Sequence, residues 1–376
     1  MKKYLLFFAA AAIGLASCSN DETVEVNKSG NEITFRGFVG GQTRATATEL
    51  STIQSNGFYV GAWNNSDHSS YFADVLFTKD GETTNFRSTN KYYWPATGNL
   101  DFVGYYPNIG GQLTHGAWDT FTLAPASDIS THNDYVIAAT INQSKASSAS
   151  GVPLAFKHLG SWIELKVYNS KGNTAGNLKA TVTGWKLGYL YNGGVYTVTA
   201  STASGSALSS TGSWSYSDYV QANATSHKPT EYSETVSTIT LSNDGSHDTE
   251  GEKVDVGNAM IIVPQTTAKI TGSSVYGTDN YLTGAFIGVK LSITDGSDHV
   301  LADATGDEMW AIWPVSNDDW ADGYKYTYVI DVSQGGYKEK GTATETLKKW
   351  LDNAEIFFSS VTVTDWAVGS ATVVNP

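Results

Sequence analysis

Short runs of alternating apolar and polar residues recur along most of the chain. Ile33-Thr34-Phe35-Arg36 alternates with period two, which places Ile33 and Phe35 on one face of a strand. Further strands are predicted over residues 57–63, 75–78, 92–95, 100–107 and 134–138, with Pro95 and Pro107 closing two of them because proline cannot donate to a ladder. Residues 142–150, Asn-Gln-Ser-Lys-Ala-Ser-Ser-Ala-Ser, have almost nothing to bury and read as an interdomain boundary. Beyond them, 154–159 leads into Trp162-Ile163-Glu164-Leu165-Lys166-Val167, with Ile163, Leu165 and Val167 facing inward. The stretch 189–196 carries Asn192-Gly193, the strongest hairpin signal in the chain. After a Ser/Ala/Gly-rich loop at 201–212, strands follow at 237–241, 259–263, 286–293, 309–313, 324–332 and 356–366. The one helix the pattern suggests is a turn or two at 344–352, where Leu347 and Leu351 stand four apart. Many short strands at turn-rich spacing predict an all-β protein of two antiparallel β-sandwiches, one over 45–150 and one over 151–376.

Composition sharpens this picture. Only 16% of the 376 residues are charged, below the roughly 25% of an ordinary soluble domain, and Ser, Thr and Asn take up the difference. The net charge of −14 leaves no basic patch of the size a duplex-binding protein needs, so nucleic acid is excluded as a partner. No H-E-x-x-H, G-x-S-x-G, Walker loop or strand-borne G-x-G-x-x-G is present. The seven histidines are scattered without metal-ligand spacing, and His158, between Phe156 and Trp162, reads as a packed residue with one satisfied nitrogen. The acidic segments 295–298 and 318–323 depart from the calcium-loop pattern and read as ordinary turns. The sequence thus predicts no enzyme, no cofactor and no metal. The 11 tryptophans and 21 tyrosines could stack on sugar rings, although aromatic residues in strands ordinarily fill cores.

The N-terminus has an address written in it. Lys2 and Lys3 precede an apolar run from Tyr4 to Leu15 that is short for a membrane span, the arrangement of a secretory signal. Leu15-Ala16-Ser17-Cys18 resembles a bacterial lipobox, and Cys18 is the only cysteine in the chain. On that reading residues 1–17 are a lipoprotein signal peptide, cut between Ser17 and Cys18, and a diacylglycerol on the Cys18 thiol anchors the protein in the outer membrane. An ordinary signal peptide with a chance cysteine is the alternative. Ser19-Asn20-Asp21-Glu22-Thr23 then reads either as a surface-export signal or as a solvated tether.

With the lipobox, the strand Glu32-Ile33-Thr34-Phe35 and Thr43-Arg44-Ala45 in view, the chain resembles the fimbrillin family, subunits and accessory proteins of type V pili. Tyr92-Tyr93-Trp94-Pro95, Leu100-Asp101-Phe102-Val103-Gly104-Tyr105-Tyr106-Pro107, Val152-Pro153-Leu154-Ala155-Phe156-Lys157-His158-Leu159 and Asp322-Gly323-Tyr324-Lys325-Tyr326-Thr327-Tyr328 carry the same resemblance, in the same order. It implies two transthyretin-like β-sandwich domains preceded by a segment, 18–44, that holds the lipid tether and a first strand. It also implies that an arginine-specific protease cuts between Arg44 and Ala45, that the strand 33–39 leaves, and that a strand from another pilus subunit fills the opened groove. Arg44 as a plain solvated loop residue is the alternative. The final segment 367–376 is short and poor in large apolar residues, which suits a tip or accessory subunit better than a stalk subunit that donates a strand. The implied function is a structural or tip/accessory pilus subunit at the cell surface that contributes to adhesion. A surface lipoprotein that binds host or bacterial glycans without assembling is the alternative.

If Cys18 carries the lipid, Cys18→Ser releases the protein from the membrane fraction. Unchanged partitioning into detergent would show that the thiol is not the anchor.

Overall fold

The structure is a computed structural model that describes residues 31–39, 47–81, 83, 85–172, 177–199, 211–221, 229–242, 246–268, 270, 275–276, 281–305, 310–315, 319–339, 351, 360–365 and 368–374. The first part comprises β1 (Phe35–Val39), helix α1 (Ala47–Asn56), β2 (Phe58–Asn64), β3 (Ser70–Lys79), β4 (Phe86–Arg87), β5 (Leu100–Tyr106), β6 (Leu113–His115), β7 (Thr120–Leu123), β8 (Val136–Gln143) and β9 (Val152–His158). Seven of these strands close into a barrel in the order β1-β4-β3-β2-β5-β8-β9, so that the two faces of the expected first sandwich run into one another. Every pairing in it is antiparallel except the closing one, β1 on β9. Phe35, Phe58, Phe72, Phe77, Phe102 and Phe156 fill the interior. Strand β5 is buried on both faces: Leu100 and Phe102 point into the barrel, Val103 and Tyr105 out of it into a second cluster. That double burial is why 100–106 reads as a nearly continuous apolar run.

The second part contains β10 (Ser161–Tyr168), β11 (Lys179–Gly188), β12 (Gly194–Thr199), β13 (Thr211–Ser215), β14 (Glu231–Leu241), β15 (Val254–Asp255), β16 (Met260–Ile262), β17 (Gln265–Thr266), β18 (Val275–Tyr276), β19 (Tyr281–Leu282) and β20 (Phe286–Thr294). It continues with β21 (Val300–Asp303), β22 (Ala311–Pro314), β23 (Asp319–Trp320), β24 (Tyr324–Asp331), β25 (Tyr337–Lys338), β26 (Ser360–Asp365) and β27 (Val368–Val374). One sheet runs β15-β10-β24-β26-β27 and the other β14-β11-β20-β22-β25. Their facing residues, among them Ile163, Leu165, Val167, Tyr328 and Ile330 against Trp185, Leu187, Val289, Leu291 and Trp313, form the largest core. This is the sandwich the alternation of 162–167 predicts. The chain is all-β apart from α1 and three single 3-10 turns among the described residues.

Three expectations need correction. The Ser/Ala-rich stretch after β8 turns the chain back into the same barrel, where β9 pairs with β8 and β1, so the passage between the parts comes at residues 159–160 and not at 150/151. A polar, small-residue segment marks a turn, but its composition carries nothing about where the next strand docks. Second, Asn192-Gly193 makes no hairpin: β11 pairs with β14 and β20, while β12 leaves to pair with β7 and β13. The positive φ in this stretch falls on Tyr189, at 61°, not on the Asn-Gly pair. Third, residues 92–95 contribute only an isolated bridge, Glu32 to Tyr93. The helix expected at 344–352 falls outside the described residues except for Leu351, whereas α1 was not foreseen.

The route of β12 joins the two parts. Strands β6 and β7 from the first part and β12 and β13 from the second make one four-stranded sheet in the order β13-β12-β7-β6. Phe121 and Leu123 from one side and Tyr196 and Val198 from the other are buried together under it. Nearby, the Ile261 amide donates to His132 Nδ1 at 3.0 Å, and His132 Nε2 lies 2.8 Å from the Ala126 carbonyl. This pattern needs the neutral ring, with its proton on Nε2. Burial pushes the His132 pKa below the usual 6.5, against the smaller opposing pull of the Ala126 carbonyl. A lowered histidine pKa contributes stability that is present above about pH 6.5 and lost as pH falls through the folded value. The protein is therefore expected to melt at a lower temperature at pH 5 than at pH 7.5. His132→Gln, whose amide oxygen can accept from Ile261 without titrating, should narrow that gap. An equal gap in parent and variant would mean that His132 does not sense pH at this junction.

Candidate functional site: the first strand and its groove

Strand β1 completes the barrel, and its residue pattern shows how. Five register pairs run parallel along β9, from Phe35 opposite Val152 to Val39 opposite Phe156. On the other side β1 has a single ladder pair, Phe35 opposite Phe86 of β4. Ahead of the strand, the Ile33 amide donates to the Tyr92 carbonyl at 2.8 Å and the Trp94 amide to the Asn31 carbonyl at 2.9 Å. The Val152 amide donates to the Thr34 carbonyl at 2.8 Å. The hydrogen bonding of this segment is thus divided unequally. One edge is a ladder; the other is a short contact plus a bridge.

The side chains follow the predicted alternation. Ile33 and Phe35 are almost completely buried, at 1% and 0% exposure, whereas Thr34 and Arg36 are half-buried. Phe35 meets Phe77 edge-on at 4.6 Å between ring centres and Phe102 at 5.2 Å, with Phe58 at 6.3 Å. Burying each of Ile33 and Phe35 contributes about 1.5–3 kcal/mol, an upper figure because unfolded chains already hide some area. The edge-to-face pairs add about 0.5–1.5 kcal/mol each. At the entry to the strand, Arg87 donates from Nη1 to Glu32 Oε2 and from Nε to Asp80 Oδ2, both at 2.7 Å. Arg87 is 41% exposed, so this pair fixes position more than it adds stability.

The far end of β1 leads into α1. Ile53 on that helix is buried and belongs to the barrel core. Gly57 ends the helix at φ +77°, its amide donating to the Ile53 carbonyl at 2.8 Å, and a Cβ there would stand 2.3 Å from the Phe77 carbonyl oxygen. Arg44 and Ala45 lie on the connection between β1 and α1, outside the described residues, as do Ser17 and Cys18. The described part is the strand such a cut would free and the groove it occupies. Sequence reasoning identified β1 and the burial of Ile33 and Phe35, but it did not identify β9 as the partner. The run 154–159 is legible as a strand lead-in; which strand it would face is not.

Among the described residues no group of three or more His, Cys, Asp or Glu side chains is arranged to hold a metal ion. Asp295 accepts from the Ser297 and His299 amides at 2.8 and 2.9 Å, the ordinary turn expected there. His158 is 3% exposed with Nδ1 2.8 Å from Asp134, also as expected. Trp185, Trp313 and Trp320 are fully buried, so much of the aromatic surplus serves the cores.

A family model described as fimbrillin-like matches residues 43–366. The chain belongs to the fimbrillin-like family. The match starts at Thr43, just before the Arg44–Ala45 bond, and takes in every strand from β2 to β26, leaving β1 and β27 outside it. No curated protein matches this fimbrillin-like chain. Solved structures similar to it include a fimbrial protein from Bacteroides vulgatus, with 17% identity and a TM-score of 0.48, covering 89% of this chain and 100% of that one. A fimbrial assembly protein from Parabacteroides distasonis has 11% identity and a TM-score of 0.36, covering 91% and 99%. The family assignment rests on the sequence match.

Proposed function

We propose that this fimbrillin-like protein is a pilus-related adhesion subunit of the cell surface, carried there by a lipid on Cys18 and made competent for assembly by cleavage between Arg44 and Ala45. The observation that carries the reading is the position of β1: it alone joins β4 to β9, and its chain continues to the rest of the barrel through the segment that contains Arg44. While that bond is intact, the strand is held at the high effective concentration of a short intramolecular link. Once it is cut, β1 stays only by its own affinity. Its departure leaves two unpaired strand edges and the pockets of Ile33 and Phe35, a receptor for a strand from another subunit.

The other end of the chain is arranged differently. Strand β26 pairs with β24 over six residues, from Ser360 opposite Val329 to Asp365 opposite Tyr324, and β27 covers it at the edge of the sheet. Strands β26 and β27 are thus both paired within their own sheet, which supports the accessory reading.

Limited trypsin should yield a fragment beginning at Ala45 that forms SDS-resistant, heat-sensitive oligomers, alone or with a partner pilin. Arg44→Ala should remain monomeric under the same treatment. Assembly of Arg44→Ala as readily as the parent, or a cut protein that stays monomeric with every pilin offered, would rule out strand replacement.

A further inference from the structure

The outer face of the second sandwich holds a group of side chains that the pilus reading leaves unused. Lys186 on β11, Gly288 on β20, Ile312 on β22 and Tyr337 on β25 form one cross-strand row. Gly288 has no side chain, and a Cβ there would stand 2.9 Å from Lys186 Cγ, so the lysine lies flat across β20. Its Nζ reaches Glu339, just beyond β25, at 2.7 Å from Oε1, and Glu231, at the start of β14, at 2.6 Å from Oε1. Lys186 and Glu339 are only 2% and 3% exposed, while Glu231 opens to solvent at 32%. Trp310 and Phe286 roof the ammonium at 4.7 and 5.4 Å from their ring centres. Glu339 Oε2 is buried with no hydrogen-bond partner among the described residues.

One cation between two carboxyl groups in an apolar site leaves an excess of negative charge that burial penalises. Desolvation pushes the Glu339 carboxyl up to about 7, the ammonium of Lys186 opposes this, and Glu231 adds to it. The neutral acid is thus available at ordinary pH. An amine held against a neutral carboxylic acid, with a second carboxylate touching the same nitrogen and open to water, has the parts of an amide-forming site.

We infer that Lys186 and Glu339 form an intramolecular isopeptide bond, with Glu231 as the proton carrier. The Glu231 carboxylate takes a proton from the Lys186 ammonium, and the freed amine attacks Cδ of protonated Glu339. The new C–N bond forms as one C–O bond of the carboxyl breaks. The departing hydroxyl takes the proton held by Glu231 and leaves as water on the solvent side, and the Glu231 carboxylate then takes the second proton from the new amide nitrogen. Nothing is oxidised or reduced, and one water is lost. The product removes the buried ammonium and the ionisable carboxyl beside it, together with the orphaned oxygen. It ties β11 covalently to the far edge of its sheet, a staple that a chain with a single cysteine cannot obtain from an internal disulfide.

Peptide mapping of the purified full chain by tandem mass spectrometry tests this without requiring any variant to fold. The peptide containing Lys186 is expected joined to the peptide containing Glu339, at their summed mass less one water. Glu339→Ala should abolish the linked pair, and Glu231→Gln should reduce the linked fraction at least tenfold while circular dichroism shows the sandwich folded. Recovery of the two peptides only as separate species from the parent protein, after prolonged incubation at neutral pH, would overturn the bond. An unchanged linked fraction in Glu231→Gln would overturn the role given to Glu231.

Discussion

The parallel ladder between β1 and β9 closes the first barrel, with Phe35 at its centre. Without that strand β4 and β9 have no neighbour on their open sides, and the aromatic interior built by Phe58, Phe77, Phe102 and Phe156 lacks one wall. A barrel removes sheet edges by closure, and β1 is the strand that completes this one. Parallel pairing is slightly weaker per residue than antiparallel pairing, and β1 has five parallel pairs on one side against one ladder pair on the other. Ile33 and Phe35 are thus fully buried, while the backbone of β1 is paired mainly along one edge.

On the proposed reading, the rest of the architecture would keep a replacement of β1 local. The sheet formed by β6, β7, β12 and β13 lies against the outward-facing residues of β5 and β8, on the far side of those strands from Phe35. Tyr105, Phe121 and Tyr196 sit in this second cluster, and none of them belongs to the barrel interior. Loss of β1 uncovers Ile33 and Phe35 positions without touching the residues that join the two parts. The long alternating strands β10, β11, β20 and β24 build a separate core around Trp185 and Trp313. The barrel interior at β1, the junction between the two parts and the core of the second sandwich thus rest on separate sets of residues.

Much of this was legible in the sequence because strand burial writes a period of two. Ile33 and Phe35 inward, Ile163, Leu165 and Val167 inward, and the doubly buried run at 100–106 all follow from side-chain alternation. Connection was harder to read. Asn192-Gly193 has the composition of a tight hairpin, but the tertiary pairing of β12 with β7 overrides the local preference. The turn after β8 looks like a linker because a solvent-exposed turn and a linker need the same residues. Helix α1 was missed because only Ile53 of its described side chains is buried, too little to give a helical stripe. The buried Lys186–Glu231–Glu339 group, drawn from positions far apart in the chain, leaves no local signature at all.

On the proposed reading, β1 is a separable strand recognised by the groove it leaves, with Phe35 as its anchor. The direct test is binding of a synthetic peptide spanning residues 31–39 to protein cut after Arg44 and cleared of its own N-terminal fragment. The peptide should bind and raise the melting temperature. Truncating a buried phenylalanine to alanine costs about 3–5 kcal/mol, so the same peptide carrying Phe35→Ala should bind at least about 100-fold more weakly. Failure of the parent peptide to bind, or equal binding of the two peptides, would contradict the account.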